Sequence, residues 1–228
     1  MLFSHYGLQQ CILFRRLQHF LMKLVSSDLE CQRGGRRVFA GLSFEVSAGQ
    51  GMLLKGPNGT GKTSLLRMIA GLGDIASGSL TLEGMDEELT IAQRSHYVGH
   101  LNALKTAMSV EENLTFWARF MGKPCGPGDV LEHLSRFDLE RLASYSAALL
   151  SAGQRRRLAL SRLELVPRPI WLLDEPSVGL DVASVELLAA SMQRHMDGGG
   201  ILIASTHTDL GLEFHTTVDL TPVADKAA

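Results

Sequence analysis

Gly56-Pro57-Asn58-Gly59-Thr60-Gly61-Lys62-Thr63 decides how this chain is read. The stretch fits the pattern G-x-x-x-x-G-K-[ST]. A short apolar run, residues 52–55, precedes it. After it, Leu65, Leu66, Ile69 and Ala70 fall three to four residues apart, which is helical spacing. Strand, glycine loop and helix in that order make a phosphate cradle. The glycines let backbone N–H groups curl around phosphate oxygens. The helix N-terminus, from Lys62 through Ser64, adds a partial positive charge. Lys62 can reach the β- and γ-phosphates of a nucleotide, and Thr63 can ligate Mg²⁺.

A second stretch completes the chemistry. Ile170-Trp171-Leu172-Leu173 is a compact apolar run that ends in Asp174-Glu175. It reads as a buried parallel strand whose carboxyl end carries two acids. Asp174 stands where a Mg²⁺-binding carboxylate belongs. Glu175 is placed to orient or activate water for attack on a γ-phosphate. A third apolar run, Ile201-Leu202-Ile203-Ala204, leads to His207. Gly56, Asp174 and His207 thus all follow the ends of expected parallel strands, the edge where open α/β sheets gather ligands.

The rest of the chain fits an α/β protein with a β-rich start. Residues 22–50 alternate as short strands, with a hairpin at Gly34-Gly35 and a close at Ala48-Gly49. Residues 78–84 read as another strand. Residues 109–121 read as a helix that Ser109 and Glu112 open as an S-x-x-E capping box. Val110, Leu114, Trp117, Ala118 and Met121 form its buried stripe. Pro124 and Gly126-Pro127-Gly128 mark a loop, helices follow to about residue 166, and another helix spans residues 183–196.

Composition narrows the class. The 228 residues carry a net charge of -2 and are 45% hydrophobic. That excludes a disordered chain. It also argues against a general nucleic-acid binder, which needs a basic surface. No apolar run approaches the roughly 18 residues that span a bilayer. Cys11, Cys31 and Cys125 are scattered, so they outline neither a disulfide framework nor a zinc site. Residues 1–21 hold Arg15, Arg16 and no acid. They read as an extension, as a transit peptide or surface helix, or as sequence ahead of a true start at Met22.

Leu150-Ser151-Ala152-Gly153-Gln154 resembles the L-S-G-G-Q signature of ATP-binding cassette (ABC) proteins, with Ala for the first Gly. Physically it is a Ser/Gly turn opening a helix, a second anion cradle. Val178-Gly179-Leu180-Asp181 resembles the D-loop of that family, and His207 its switch histidine. The order of motifs fits from the first strands to His207, most of the chain. Stretches such as Gly99-His100, Val110-Glu111-Glu112-Asn113-Leu114 and Trp171-Leu172-Leu173-Asp174-Glu175-Pro176 are most similar to ATP-binding subunits of bacterial haem exporters of cytochrome c maturation.

The resemblance implies a P-loop NTPase fold of the ABC type. It would comprise a RecA-like α/β core, an antiparallel β subdomain and a helical subdomain at roughly residues 95–165, all within residues 22–228. It implies ATP and Mg²⁺ as ligands and ATP hydrolysis as the reaction. Two protomers would sandwich two ATPs, with Ser151, Gly153, Gln154 and Asp181 of one meeting the ATP of the other. His207 would contact the γ-phosphate. An integral membrane subunit, CcmB-like, would anchor the homodimer at the cytoplasmic face of the inner membrane. The rival readings are an ABC ATPase for another cargo and a soluble ABC regulator.

Two departures from the family pattern stand out. The usual glutamine before the helical subdomain is missing, and Leu101 takes its place between His100 and Asn102. Either neighbour is a candidate stand-in. The adenine-stacking aromatic is also missing, and Arg33 occupies its position. A guanidinium can stack on a base face. Finally, Phe116 and Phe120 lie one turn apart, off the buried stripe of their helix. They read either as a wider buried face or as part of a groove for the membrane subunit.

Overall fold

A computed structural model describes residues 21–221 apart from residues 87 and 124. The expectations for residues 1–20 and for Pro124 lie outside the described residues. In chain order the first elements are β1 (Lys23–Arg33), β2 (Arg36–Ser47), β3 (Gly51–Lys55), α1 (Lys62–Ile69), β4 (Ser77–Glu83) and β5 (Ser95–Val98). Then come α2 (Val110–Phe120), α3 (Pro127–Ser135), α4 (Ala152–Leu165), β6 (Ile170–Asp174), α5 (Val182–Asp197), β7 (Ile201–Ser205) and β8 (Thr216–Asp219).

β1 and β2 turn at Gly34-Gly35, and both glycines have positive φ. A two-residue hairpin turn of this kind favours residues that accept left-handed backbone. β4 pairs with the other edge of β1, giving an antiparallel sheet ordered β2-β1-β4. The second sheet is ordered β5-β6-β7-β3-β8, and every pairing in it is parallel. Every residue of β6 and β7 is buried. Both faces of a central parallel strand are covered, so these strands are apolar runs rather than alternating ones.

Alternation instead sorts their side chains into two cores. Ile170, Leu172, Ile201 and Ile203 pack with α1 and with Leu24 and Val46 of the antiparallel sheet. Trp171, Leu173, Leu202 and Ala204 pack with the residues of α2, α3, α4 and α5. A fully buried Leu or Ile contributes about 1.5–3 kcal/mol. The central strands therefore bind both layers and fix where their carboxyl ends emerge.

The structure redraws two boundaries. The segment expected to be helical from about residue 95 opens with a strand, because Ser95, His96, Tyr97 and Val98 pair with β6. Gly126-Pro127-Gly128 is not only a loop: Gly126 caps α3 and Pro127 is its first residue. Proline suits that position because its missing N–H is one the helix cannot use there. Among the described residues, no helix is long and apolar enough to cross a membrane.

Candidate functional site

The site is built where three adjacent parallel strands end. β6, β7 and β3 lie side by side. Their ends deliver Asp174-Glu175, His207 and the loop from Gly56 to one edge. The loop turns through Gly56, Gly59 and Gly61, with φ of 129, 87 and 107°. Gly61 stands at the N-cap of α1 without a side-chain cap. The first N–H groups of α1 are thereby left for an anion. Pro57, Asn58 and Gly59 are exposed at the tip. Thr60 is buried and turns both its N–H (3.4 Å) and its hydroxyl (3.0 Å) to the Pro57 carbonyl, so its side chain shapes the loop.

Lys62 is 8% exposed, and its Nζ donates to the carbonyls of Gly56 (2.6 Å) and Pro57 (3.0 Å). Phosphate oxygens are stronger acceptors than these carbonyls, so the ammonium can turn to them without leaving the loop. Thr63 Oγ1 donates to Asp174 Oδ2 at 2.7 Å. Asp174 is 1% exposed. Hydroxyl and carboxylate together are the hard oxygen donors that suit Mg²⁺.

Glu175 follows with φ 47°, a left-handed conformation uncommon for glutamate. Its N–H donates to the Ser205 carbonyl at 2.8 Å, which hooks it onto β7. Its carboxylate accepts from the His207 N–H at 3.4 Å and lies 3.6 Å from His207 Nε2. A second histidine mirrors this one: His100 Nε2 is 3.6 Å from Asp174 Oδ2. Of the two candidates for the missing glutamine, His100 thus stands at the carboxylate. Asn102 is engaged by Arg156 at 3.2 Å, and Leu101 is 86% exposed.

Arg33 ends β1 on the exposed side of the hairpin. It lies close to the Cys31 thiol, as does the Ser64 hydroxyl from the first turn of α1. Burial pushes that thiol up, and Arg33 and Ser64 act against the shift. Arg33 is thus near the start of the phosphate-loop helix.

The remaining predicted residues gather elsewhere. Ser151 caps α4: its hydroxyl accepts from the Gln154 N–H (3.2 Å), and Gln154 Oε1 accepts from the Ser151 N–H (2.8 Å). A Cβ added to Gly153 would stand 3.0 Å from the Gly179 carbonyl, so α4 begins against the loop before α5. Asp181 caps α5, accepting from the Ser184 N–H at 2.9 Å. Hydrogen bonds from the Ser184 side chain and backbone hold its carboxyl below the usual range. Ser151, Gly179 and Asp181 are exposed and Gly153 and Gln154 half-buried along one edge, on which Val178 and Val182 are also exposed.

Sequence reasoning assigned no role to Arg156. It is 4% exposed and bonds to the carbonyls of Gly99, Asp174, Glu175 and Pro176. The signal was present: Arg156 shares a helical stripe with the buried Ala159, Leu160 and Leu163.

Residues 39–178 match the family model described as ABC transporter. A cytochrome c biogenesis ATP-binding export protein CcmA from Nitrobacter winogradskyi is 51% identical over 191 residues, 84% of this chain and 94% of that one. The protein of that name from Bradyrhizobium diazoefficiens is 50% identical over 192 residues, 84% of this chain and 95% of that one. A solved ATP-binding subunit of an ABC transporter superposes with TM-score 0.75 at 27% identity, over 86% of this chain and 85% of that one.

Proposed function

Because the chain belongs to the ABC transporter family, we propose that it is the ATP-hydrolysing subunit of the haem exporter serving cytochrome c biogenesis. The observation that carries the chemistry is the convergence of Lys62, Thr63, Asp174 and Glu175 beyond the ends of β3 and β6, parallel strands on either side of β7. The cargo follows from the half-identity to relatives named for cytochrome c biogenesis and export.

ATP lies with its phosphates in the loop from Gly56 to Ser64, against the open N–H groups of α1. Lys62 donates to the terminal phosphates. Thr63 and Asp174 would hold Mg²⁺, which when bound would screen phosphate charge. Arg33 stacks on the base. Glu175 positions the attacking water, and His207 contacts the γ-phosphate. Little covalent chemistry falls to the protein in such a transfer, so the rate comes from positioning and electrostatics. A second copy closes the site by bringing Ser151, Gly153, Gln154 and Asp181 to the nucleotide. The exposed edge that carries these residues supports that reading, because an isolated protomer leaves it uncovered.

Work is delivered to a CcmB-like membrane subunit from the cytoplasmic face of the inner membrane. Phe120 is 71% exposed and stacks with Phe116 at 6.0 Å between ring centroids. This aromatic pair supplies the docking face. The reading is tested by supplying the chain and its membrane subunit to a bacterium that lacks its own exporter ATPase. Wild type restores covalent haem staining of c-type cytochromes. Glu175→Gln binds ATP, accumulates as a dimer, hydrolyses about 10²–10⁴-fold more slowly and does not restore staining. Wild-type turnover in that variant refutes the role of Glu175, and no staining with an active wild-type ATPase refutes the cargo.

A further inference from the structure

α4 carries two buried arginines, and both grip the same loop. Arg162 donates to the carbonyls of Tyr97 (3.3 Å) and Asn102 (3.4 Å), and its guanidinium lies 4.8 Å from the centroid of the Trp117 ring. Arg156 donates to the Gly99 carbonyl (2.7 Å) and to Asn102 Oδ1 (3.2 Å). Arg156 also crosses to the end of β6. There it donates to the carbonyls of Asp174 (3.2 Å), Glu175 (2.8 Å) and Pro176 (3.0 Å). One planar guanidinium thereby ties residues 99–102 to three consecutive carbonyls, the middle one that of Glu175. A fixed fork of N–H donors can do this, and a point-like ammonium cannot.

The grip matters because of how Glu175 is held. Its φ of 47° persists only if the surroundings over-determine it. Its N–H is fixed by Ser205, and its carbonyl accepts from Arg156 and, at 3.3 Å, from the Val178 N–H. The loop at the other end of the fork continues to Ala103, whose carbonyl accepts from Trp117 Nε1 at 3.1 Å. Trp117 packs edge-on against both Phe116 and Phe120. Contacts therefore run without a break from the exposed Phe120 and the half-buried Phe116 to the Glu175 backbone.

We propose that Arg156 is a positioning residue for hydrolysis, which sets the aim of Glu175 and registers it to the loop at residues 99–102. A shift of that loop is then felt at the water-positioning carboxylate through one side chain. The proposal rests on the ATPase reading above.

Arg156→Lys keeps the charge and removes the fork. Asn102→Ala removes one of the two bonds from Arg156 to the loop, and leaves the bond to the Gly99 carbonyl and those to the end of β6. For each, steady-state hydrolysis, ATP affinity by equilibrium titration and hydrogen exchange are measured. Arg156→Lys lowers kcat about ten-fold or more. Its KM and Kd for ATP stay within about two-fold, the signature of a lost transition-state arrangement. Residues 99–102 and 174–178 exchange faster together, while α1 is unchanged. Asn102→Ala lowers kcat at constant KM and loosens residues 99–102. A wild-type kcat in Arg156→Lys overturns the proposal. So does a loss of ATP affinity in step with kcat, which a merely structural role would give. Should Arg156→Lys fail to fold, an unchanged kcat in Asn102→Ala overturns it. A wild-type chain that neither binds nor hydrolyses ATP overturns the underlying reading instead.

Discussion

Thr63 and Asp174 stand 111 positions apart in the chain, and their side chains meet at 2.7 Å. The hydroxyl belongs to the first turn of α1, and the carboxylate to the last residue of β6. This contact joins the phosphate loop to the acid-bearing strand. Asp174→Asn keeps the hydrogen bond from Thr63 but loses the charge. Its hydrolysis is expected to fall about 100-fold or more. ATP titrations separate the cause: affinity weakens with Mg²⁺ present and matches wild type in EDTA. Equal weakening in both conditions places the role of Asp174 in the loop's shape instead.

Gly56 and Gly59 both have positive φ, but their surroundings differ. A Cβ on Gly56 would stand 2.3 Å from the Leu220 carbonyl, which is backbone and cannot swing away. A Cβ on Gly59 meets nothing within 4 Å. Gly56→Ala therefore adds overpacking to backbone strain, and overpacking alone costs about 1–3 kcal/mol. Gly59→Ala carries only the left-handed penalty of about 1–2 kcal/mol. Urea melts are expected to rank Gly56→Ala as the less stable. The reverse order would mean that β8 and the turn to Leu220 give way easily.

His96 gives the fold an acid limit. Burial drives its pKa from the ordinary 6.5 down to about 3, against a 2.6 Å hydrogen bond to the Val166 carbonyl that acts the other way; Arg168 and Arg162 add to the lowering. The folded chain therefore holds the ring neutral where the unfolded chain protonates it. Stability is lost as pH falls below 6.5 and continues to fall to about 3. The loss reaches about 2 kcal/mol by pH 5. His96→Gln retains a donor for Val166 and removes the titration. Its urea midpoint should be lower than wild type at pH 7.5 but change less between pH 7.5 and 5. Parallel pH profiles would assign the acid limit to other groups.

The parts legible in sequence were those governed by local chemistry. The Ser109–Glu112 box is present, with the Ser109 N–H donating to Glu112 Oε2 at 2.8 Å and the Glu112 N–H to Ser109 Oγ at 3.1 Å. The runs at β6 and β7 are apolar because both faces are covered. β5 and β8 escaped because each has four residues and lies at an edge of the sheet. In β5, Ser95 and His96 are polar yet buried, which cancels the apolar signal. The choice between His100 and Asn102 was also not local. It depends on Arg156, which bonds Asn102 from another helix. The same holds for Glu175, whose backbone conformation depends on a partner 19 residues away.

The aromatic pair on α2 decides between two readings of one helix face. A wider buried face would hide Phe120, yet it is 71% exposed, and Phe116 carries Lys105 Nζ 4.5 Å from its ring centroid. An exposed aromatic of this size is a favourable anchor for a partner, because two-torsion rings lose little entropy on binding. Phe120→Glu places a charge there without touching the buried stripe of Val110, Leu114 and Ala118. The fold and ATP affinity should match wild type, since surface changes usually stay within about 0.5 kcal/mol. Co-purification with the membrane subunit should be lost, because truncating one interface anchor costs about 2 kcal/mol or more. Phe120→Tyr, which keeps the ring, should restore it. Retained co-purification in Phe120→Glu removes α2 from the docking face and leaves its aromatic cluster as packing around Trp117.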